Sequence, residues 1–598
     1  MSLRSGTVAL GIALATGCGG APAQRGSSSG ADTSTAHARA QSARITPASA
    51  AAAEWFADRA EASGLDFVHF NGMSGEFYVP EIMGPGVGLL DYDNDGDLDV
   101  YFVQGQMLGP GRSVRQALFP PRGPLPPKGR LFRNDLKISD DGTRNLHFTD
   151  VTDQSRIRAT GYGMGVAAGD VDNDGWTDLY LTNFGRNQMF HNNGDGTFTD
   201  VSKQSGTDSG GWAVSAAFFD YDRDGWLDLY VGNYLQYSIE ADKKCLTATG
   251  GRDYCAPQAY LAQPDRLYRN QGNGTFADVT STALRDTAFG PALGVVTADF
   301  NDDGWMDIYV ANDSQDNQLW MNQRDGTFRN AALLAGVAVT VDGRAEASMG
   351  VDAGDFDNDG DEDLVMTELT GEGSNLYVNK GSALFMDRSV LSRLGPSTVR
   401  STGFGTAWVD VDNDGWLDLI SVNGMVRTVE ERLNATFPYD QRKQLFLNLR
   451  NGQFEEISGR AGAVFQLSEV GRGAASGDVD NDGDMDVIVA NAAGRAQLLV
   501  NLIGNRNHWL GLRLVGQRTR RDMLGARVAV VRRDGSTLWR RVRTDGSYGS
   551  ANDPRVLVGL DDSAEPVSVR VRWPSGRSEE WSALPVDRWT TLAEGSGR

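Results

Sequence analysis

Carboxylates recur in this chain at a spacing that could hold a hard cation. The string Asp-x-Asp/Asn-x-Asp-Gly-x-x-Asp begins at Asp91, Asp170, Asp220, Asp299, Asp355, Asp410 and Asp478, seven copies in all. Positions 1, 3, 5 and 9 of such a loop direct oxygens at one point, Gly at position 6 permits the tight turn, and the carbonyl of position 7 adds another oxygen. Calcium takes about six to eight such oxygens, whereas magnesium keeps more water and a stricter geometry. The first loop offers Asp91, Asp93, Asp95 and Asp99 with the carbonyl of Asp97, and the second Asp170, Asp172, Asp174 and Asp178 with that of Trp176. The third offers Asp220, Asp222, Asp224 and Asp228 with Trp226, and the fourth Asp299, Asn301, Asp303 and Asp307 with Trp305. In the fifth stand Asp355, Asp357, Asp359 and Asp363 with Asp361, and in the sixth Asp410, Asp412, Asp414 and Asp418 with Trp416. The seventh has Asp478, Asp480, Asp482 and Asp486 with Asp484. Asn301 keeps an oxygen but removes a charge, so the fourth site is expected to be the weakest.

Charge supports a cation at these loops. Asp and Glu outnumber Lys and Arg by 79 to 56, a formal net charge of −23 that disfavours nucleic acid as a partner. Seven Ca²⁺ ions would bring the net charge to about −9. Without metal the clustered Asp side chains repel one another, so stability should depend on calcium. Affinities on the order of 10⁻⁴–10⁻³ M would suit the calcium level outside a cell. A bare Asp-Gly hairpin turn explains one such loop, but not seven with every ligand position filled. EF-hands are excluded, because position 12 is Phe102, Leu181, Val231, Val310, Met366, Ser421 or Val489 rather than Glu.

The elements that position the loops follow from the residues around them. A small-residue approach precedes each loop, as in Gly163 to Gly169, and an alternating apolar run follows, as in Leu179-Tyr180-Leu181, which predicts strands. An aromatic-x-Asn element comes next, as in Phe190/Asn192 and Trp320/Asn322, then a Gly turn and a Phe such as Phe198 or Phe328. That final Phe follows only six of the seven loops; Phe56-Ala57-Asp58, near the N-terminus, supplies the missing one. The arrangement predicts an all-β chain: a seven-bladed calcium-loop propeller over 54–501, closed by its N-terminal strand, and a small all-β domain over 502–598.

These repeats resemble the FG-GAP/VCBS family, whose calcium-loop blades also form the integrin α-subunit propeller. The resemblance implies metals that brace the blades and perform no catalysis. Further on, Asn507-His508-Trp509-Leu510, Leu524-Gly525-Ala526-Arg527-Val528, Val558-Gly559-Leu560 and Trp573-Pro574-Ser575-Gly576 resemble the ASPIC/UnbV domain. That domain follows such repeats in bacterial envelope proteins and in proteins like cartilage acidic protein. Arg555-Val556-Leu557 departs from the His-containing approach more usual there. Residues 502–598 hold 17 basic and 11 acidic side chains. Their Arg-rich strands read first as a solvated face that balances charge; docking on the acidic propeller or on an anionic glycan is the alternative.

The N-terminus reads as a targeting segment: Arg4, a short apolar stretch from Thr7 to Ala15, and Ala15-Thr16-Gly17-Cys18, which resembles a bacterial lipobox with Cys18 as the lipidated residue. Ala21-Pro22-Ala23 offers the competing cleavage site of plain secretion. Residues 1–18 are thus expected to be a signal peptide and 19–53 a flexible linker. The expected location is the cell envelope or outer membrane as a lipoprotein, or secretion, rather than the cytoplasm. There Cys245 and Cys255, in one insertion, would pair. A Trp recurs at position 7 of four loops and is expected to pack between blades. No His-Glu-x-x-His is present, and the one Gly-x-Ser-x-Gly, Gly26 to Gly30, lies in the linker, so no catalytic residue is assigned. The expected role is a calcium-binding adhesion or binding module for an extracellular protein or glycan. An enzyme working on a polymer through the propeller channel and a purely structural envelope component are the alternatives.

Overall fold

The computed structural model describes residues 54–247, 249–285, 289–428, 438–517 and 519–598. The segment that carries the expected signal peptide, Cys18 and the whole of the linker lies outside them. Seven four-stranded antiparallel sheets each carry one Asp loop between their first two strands. The second, for example, runs Tyr162–Gly169, Asp178–Phe184, Gln188–Asn192 and Phe198–Asp200. In the seventh, Gly471–Gly477, Asp486–Asn491 and Gln497–Asn501 are joined by Phe56–Asp58 from the other end of the chain, with Phe56 opposite Asn501.

Burial explains why the second strand of each sheet is apolar on both sides. In the first sheet, Val100 and Phe102 pack toward the seventh sheet with Ile488 and Leu498. Tyr101, between them, points the other way and joins Leu179 and Leu181 of the second sheet. A strand sandwiched between two neighbours is apolar at every position, and each such side chain contributes about 1.5–3 kcal/mol.

Residues Ala53–Arg598 form one compact unit. The C-terminal segment builds two small sheets. Trp509–Val515 lies between Val556–Gly559 and Trp589–Ala593; Arg527–Val531 and Val567–Arg572 lie between Thr537–Arg541 and Ser578–Leu584. Leu512, Val530, Val569 and Trp573 fill their interior, in one cluster with Tyr180 and Phe218 of the propeller sheets.

Candidate metal centres and the docked C-terminal domain

Each loop is shaped by its own carboxylates. Position 1 accepts the N–H of the position 6 Gly, as Asp170 does from Gly175 at 2.8 Å and Asp299 from Gly304 at 2.7 Å. Position 5 accepts the N–H of position 7, as Asp174 does from Trp176 at 2.9 Å. Position 9 uses both oxygens: those of Asp178 take the N–H groups of Val171 and Asn192, at 3.0 and 2.8 Å. Position 3 is left over. The Oδ1 atoms of Asp93, Asp172, Asp357, Asp412 and Asp480 are buried without a hydrogen-bond partner, as are those of Asp91 and Asp220.

The donor set suits a divalent cation. Carboxylate oxygens of Asp91, Asp93 and Asp99 lie within 4.8 Å of one another, as do those of Asp170, Asp172 and Asp174, of Asp220, Asp222 and Asp228, and of Asp355, Asp357 and Asp359. Burial, together with the repulsion of neighbouring Asp side chains, pushes Asp170 up to about 7 and Asp172 up to about 6. Burial, opposed in part by Arg555, does the same to Asp478, at about 7. A bound cation would reverse that penalty. The fourth loop differs, because Asn301 turns its Nδ2 onto Asp303 at 3.0 Å, and its oxygen accepts the Asp303 N–H at 3.2 Å.

Two circuits of Asn side chains tie the loops into a ring, and sequence reasoning missed both. Position 4 reaches the position 6 carbonyl of the next loop: Asn94 to Gly175 at 2.9 Å, Asn173 to Gly225 at 3.0 Å, Asn358 to Gly415 at 3.2 Å and Asn413 to Gly483 at 2.8 Å. Asn481 reaches Gly96 of the first loop at 3.5 Å and the Oδ1 of Asp97 at 2.7 Å. Arg223 makes the same contact with Gly304. Asp302, at the equivalent place, cannot donate; instead it accepts from Arg527 and Arg572 of the C-terminal domain, both at 2.8 Å. All seven position 4 residues have positive φ, between 53° and 61°, a conformation that Asn tolerates better than most residues. That preference was the available signal. The second circuit uses the Asn of the aromatic-x-Asn element, whose side chain donates to the position 2 carbonyl of the preceding loop. Asn192 reaches Tyr92 at 2.8 Å, Asn322 reaches Tyr221 at 2.9 Å, and Asn134 reaches Val479 across the junction of sheets seven and one at 2.8 Å.

Two of the position 7 Trp residues do not pack between sheets as expected, whereas Trp305 does reach the neighbouring third loop. Trp176 and Trp226 lie over the outer turns of their own sheets, where a Cβ on Gly194 or Gly272 would come within 2.7 or 2.9 Å of the ring. Trp305 stacks under the guanidinium of Arg223 from the neighbouring third loop, which lies 4.6 Å from its ring centroid. A flat ring covers the turn that follows the loop more directly than it could reach the neighbouring sheet. Cys245 and Cys255 are joined by a disulfide bond.

The C-terminal domain sits on the loop face, and its Arg residues are not a solvated strand face. Arg572 contacts Asp299 at 2.5 Å, Arg513 contacts Asp91 at 3.5 Å, and Trp589 donates its indole N–H to Asp478 at 3.1 Å. Composition weighs total charge and carries no information about which face a strand turns toward acid. The segment Asp545 to Asp553 enters the channel and bonds to the innermost strand of every sheet. Leu89 donates to the Ala551 carbonyl (2.9 Å), Val166 to that of Gly549 (3.0 Å), and Gly549 to the Ser215 hydroxyl (3.0 Å). Thr297 donates to Asp545 (2.7 Å), Val351 to the Ser547 carbonyl (3.1 Å), Thr406 to the Ser547 hydroxyl (3.2 Å) and Ser476 to Asn552 (3.0 Å). Small residues on the inner strands are required by this approach: a Cβ on Gly86 would meet the Gly549 carbonyl oxygen at 1.8 Å. The chain itself thus occupies the space that the innermost strands surround.

Repeated four-stranded sheets with an Asp loop in each are consistent with propeller-like FG-GAP repeats. The FG-GAP-like repeat family matches at residues 170–231, 253–310, 299–366 and 355–421, and the ASPIC and UnbV family at 516–598. The chain thus carries FG-GAP-like repeats and, at residues 516–598, an ASPIC and UnbV domain. Among curated proteins it is similar to cartilage acidic protein 1 of Homo sapiens, 29% identical over 341 residues that cover 54% of this chain and 48% of that one. The Mus musculus protein of the same name is 28% identical over 353 residues, 56% of this chain and 51% of its own. The chain thus spans about half the length of the curated relatives it matches. Among solved structures, an Agrocybe aegerita lectin described as recognising non-reducing terminal N-acetylglucosamine is 16% identical, covering 55% of this chain and 76% of that one, with a TM-score of 0.36. Among the described residues no helix is long and apolar enough to cross a membrane.

Proposed function

We propose that this protein is an extracytoplasmic binding module whose ring is locked by calcium, held at the cell envelope or secreted, and that its partner is an extracellular protein or glycan. The observation that carries this reading is the set of buried, unpartnered Oδ1 atoms at position 3 of five loops, beside the convergence of carboxylates within 4.8 Å in the first, second, third and fifth loops. Carboxylates buried without partners are costly, and a hard cation is the group that satisfies several at once. Asp91, Asp93, Asp95 and Asp99 would hold the first ion, and the equivalent residues the others; Asn301 makes the fourth site the weakest. The metal would supply only charge and rigidity. A channel filled by Asp545 to Asp553 favours a binding role over an enzyme acting through it.

The test is capture from intact cells and on glycan arrays, with calcium and with a chelator. Retention of a saturable partner with calcium and its loss on chelation is expected. No saturable partner in either format would contradict a binding role and leave the structural alternative.

A further inference from the structure

A cavity of about 410 Å³ lies at the seam between the first two cation loops and the C-terminal strands. That volume falls within the roughly 300–1,000 Å³ of small-molecule sites. Leu89, Leu90, Leu98, Ala168 and Leu524 give it apolar walls, and Arg520 and Arg521 are among its polar lining.

The charges around the cavity do not cancel at Arg521. Asp91 and Asp522 are paired with Arg513, at 3.5 and 3.0 Å, and Asp553 with Arg555 at 2.9 Å. Asp170 belongs to the second loop and accepts the Gly175 N–H at 2.8 Å. Arg521 is only 5% exposed, yet its Nη1 has no hydrogen-bond partner, and no carboxylate among the described residues makes an ion pair with it. Asp220, Asp170, Asp228 and Asp224 act on it through their field alone, and all four are expected cation ligands whose charge a bound cation would take up. A buried guanidinium left in this state is costly unless an anion meets it.

We propose that this cavity binds a small organic anion with an apolar body, its carboxylate or sulfonate on Arg521 and its body against Leu89, Leu98 and Leu524. The inference deepens the reading of the chain as a binding module by naming a ligand class, and it rests on that reading only for its biological use. Its failure is distinguishable from failure of the capture experiment, because it is read on the purified chain.

The experiment is isothermal titration of the full, calcium-loaded chain with 2-naphthoate, naphthalene-2-sulfonate and the neutral 2-naphthamide. One anion per chain is expected, with the amide at least tenfold weaker, since hydrogen bonds to a charged group are the stronger kind. Arg521→Gln should reduce 2-naphthoate to the level of the amide. Thr591→Trp, at an exposed position on the cavity wall, should block all three probes while leaving the melting temperature in place, which keeps the test valid if Arg521→Gln folds poorly. The inference is overturned by equal binding of anion and amide, by binding that survives Thr591→Trp, or by no heat from either anion at millimolar concentration.

Discussion

Replacing Arg543 by Met removes the cation that, among the described residues, pairs with a carboxylate sealed in the channel. Asp352, on the innermost strand of the fifth sheet, is 1% exposed and meets Arg543 through both oxygens, at 2.6 and 2.8 Å. It also accepts the N–H groups of Trp408 and Ala353, both at 2.9 Å, so two bonds survive the substitution. Leaving one member of a buried pair costs about 3–5 kcal/mol. Divided by a urea slope of at least about 3 kcal/mol/M for a chain of this size, this lowers the midpoint by at most about 1–1.7 M. The loss should also depend on pH. Burial already raises the Asp352 carboxyl and Arg543 lowers it, so the variant raises it further. A folded-state pKa above the unfolded value means the destabilisation is absent below about pH 4, grows as pH rises through the folded pKa, and is full above it. Urea unfolding followed by tryptophan fluorescence at pH 5 and pH 8 reads this directly. A midpoint shift below about 0.3 M at pH 8, or an equal shift at both pH values, would refute the reasoning.

The Asn circuit predicts a gradient along the ring: Asn413 is buried and donates to both Gly483 and Gly504, whereas Asn94 is exposed and donates to Gly175 alone. Asn413→Ala should therefore cost about 2–3 kcal/mol more than Asn94→Ala in the same urea assay. Burial pushes the Glu81 carboxyl up to about 8, so its neutral form is the one the fold prefers, and stability from this group is lost as pH rises through that value. Glu81→Gln should raise the urea midpoint at pH 8 and leave it nearly unchanged at pH 4. Deleting residues 502–598 should strip partners from Leu89, Val166, Thr297, Val351, Thr406 and Ser476 and expose Tyr180 and Phe218, giving an aggregating, dye-binding product rather than a free ring.

Local features were readable from the chain because each repeat states them again. The Asp loops, the strand that follows each one, and Phe56 standing in for the missing seventh Phe all lie in short windows where residue type and geometry coincide. What escaped depends on distant partners. Asp545 to Asp553 has no periodicity that marks it as a channel plug, and Gly86 or Gly165 reads as a small strand residue until Gly549 is placed against it. Position 4 carries no local sign of its role, since the acceptors of its five Asn residues and of Arg223 lie one repeat away. Arg513, Arg555 and Arg572 read as surface charge because nothing local says that an acidic loop faces them.

Elemental analysis of the purified chain after dialysis against about 1 mM calcium measures the metal content of the loops directly. The account predicts about six to seven calcium ions per chain, with the shortfall at the Asn301 loop, and a melting temperature that drops by many degrees once they are chelated. A chain that holds no calcium and melts at the same temperature with and without chelator would contradict it.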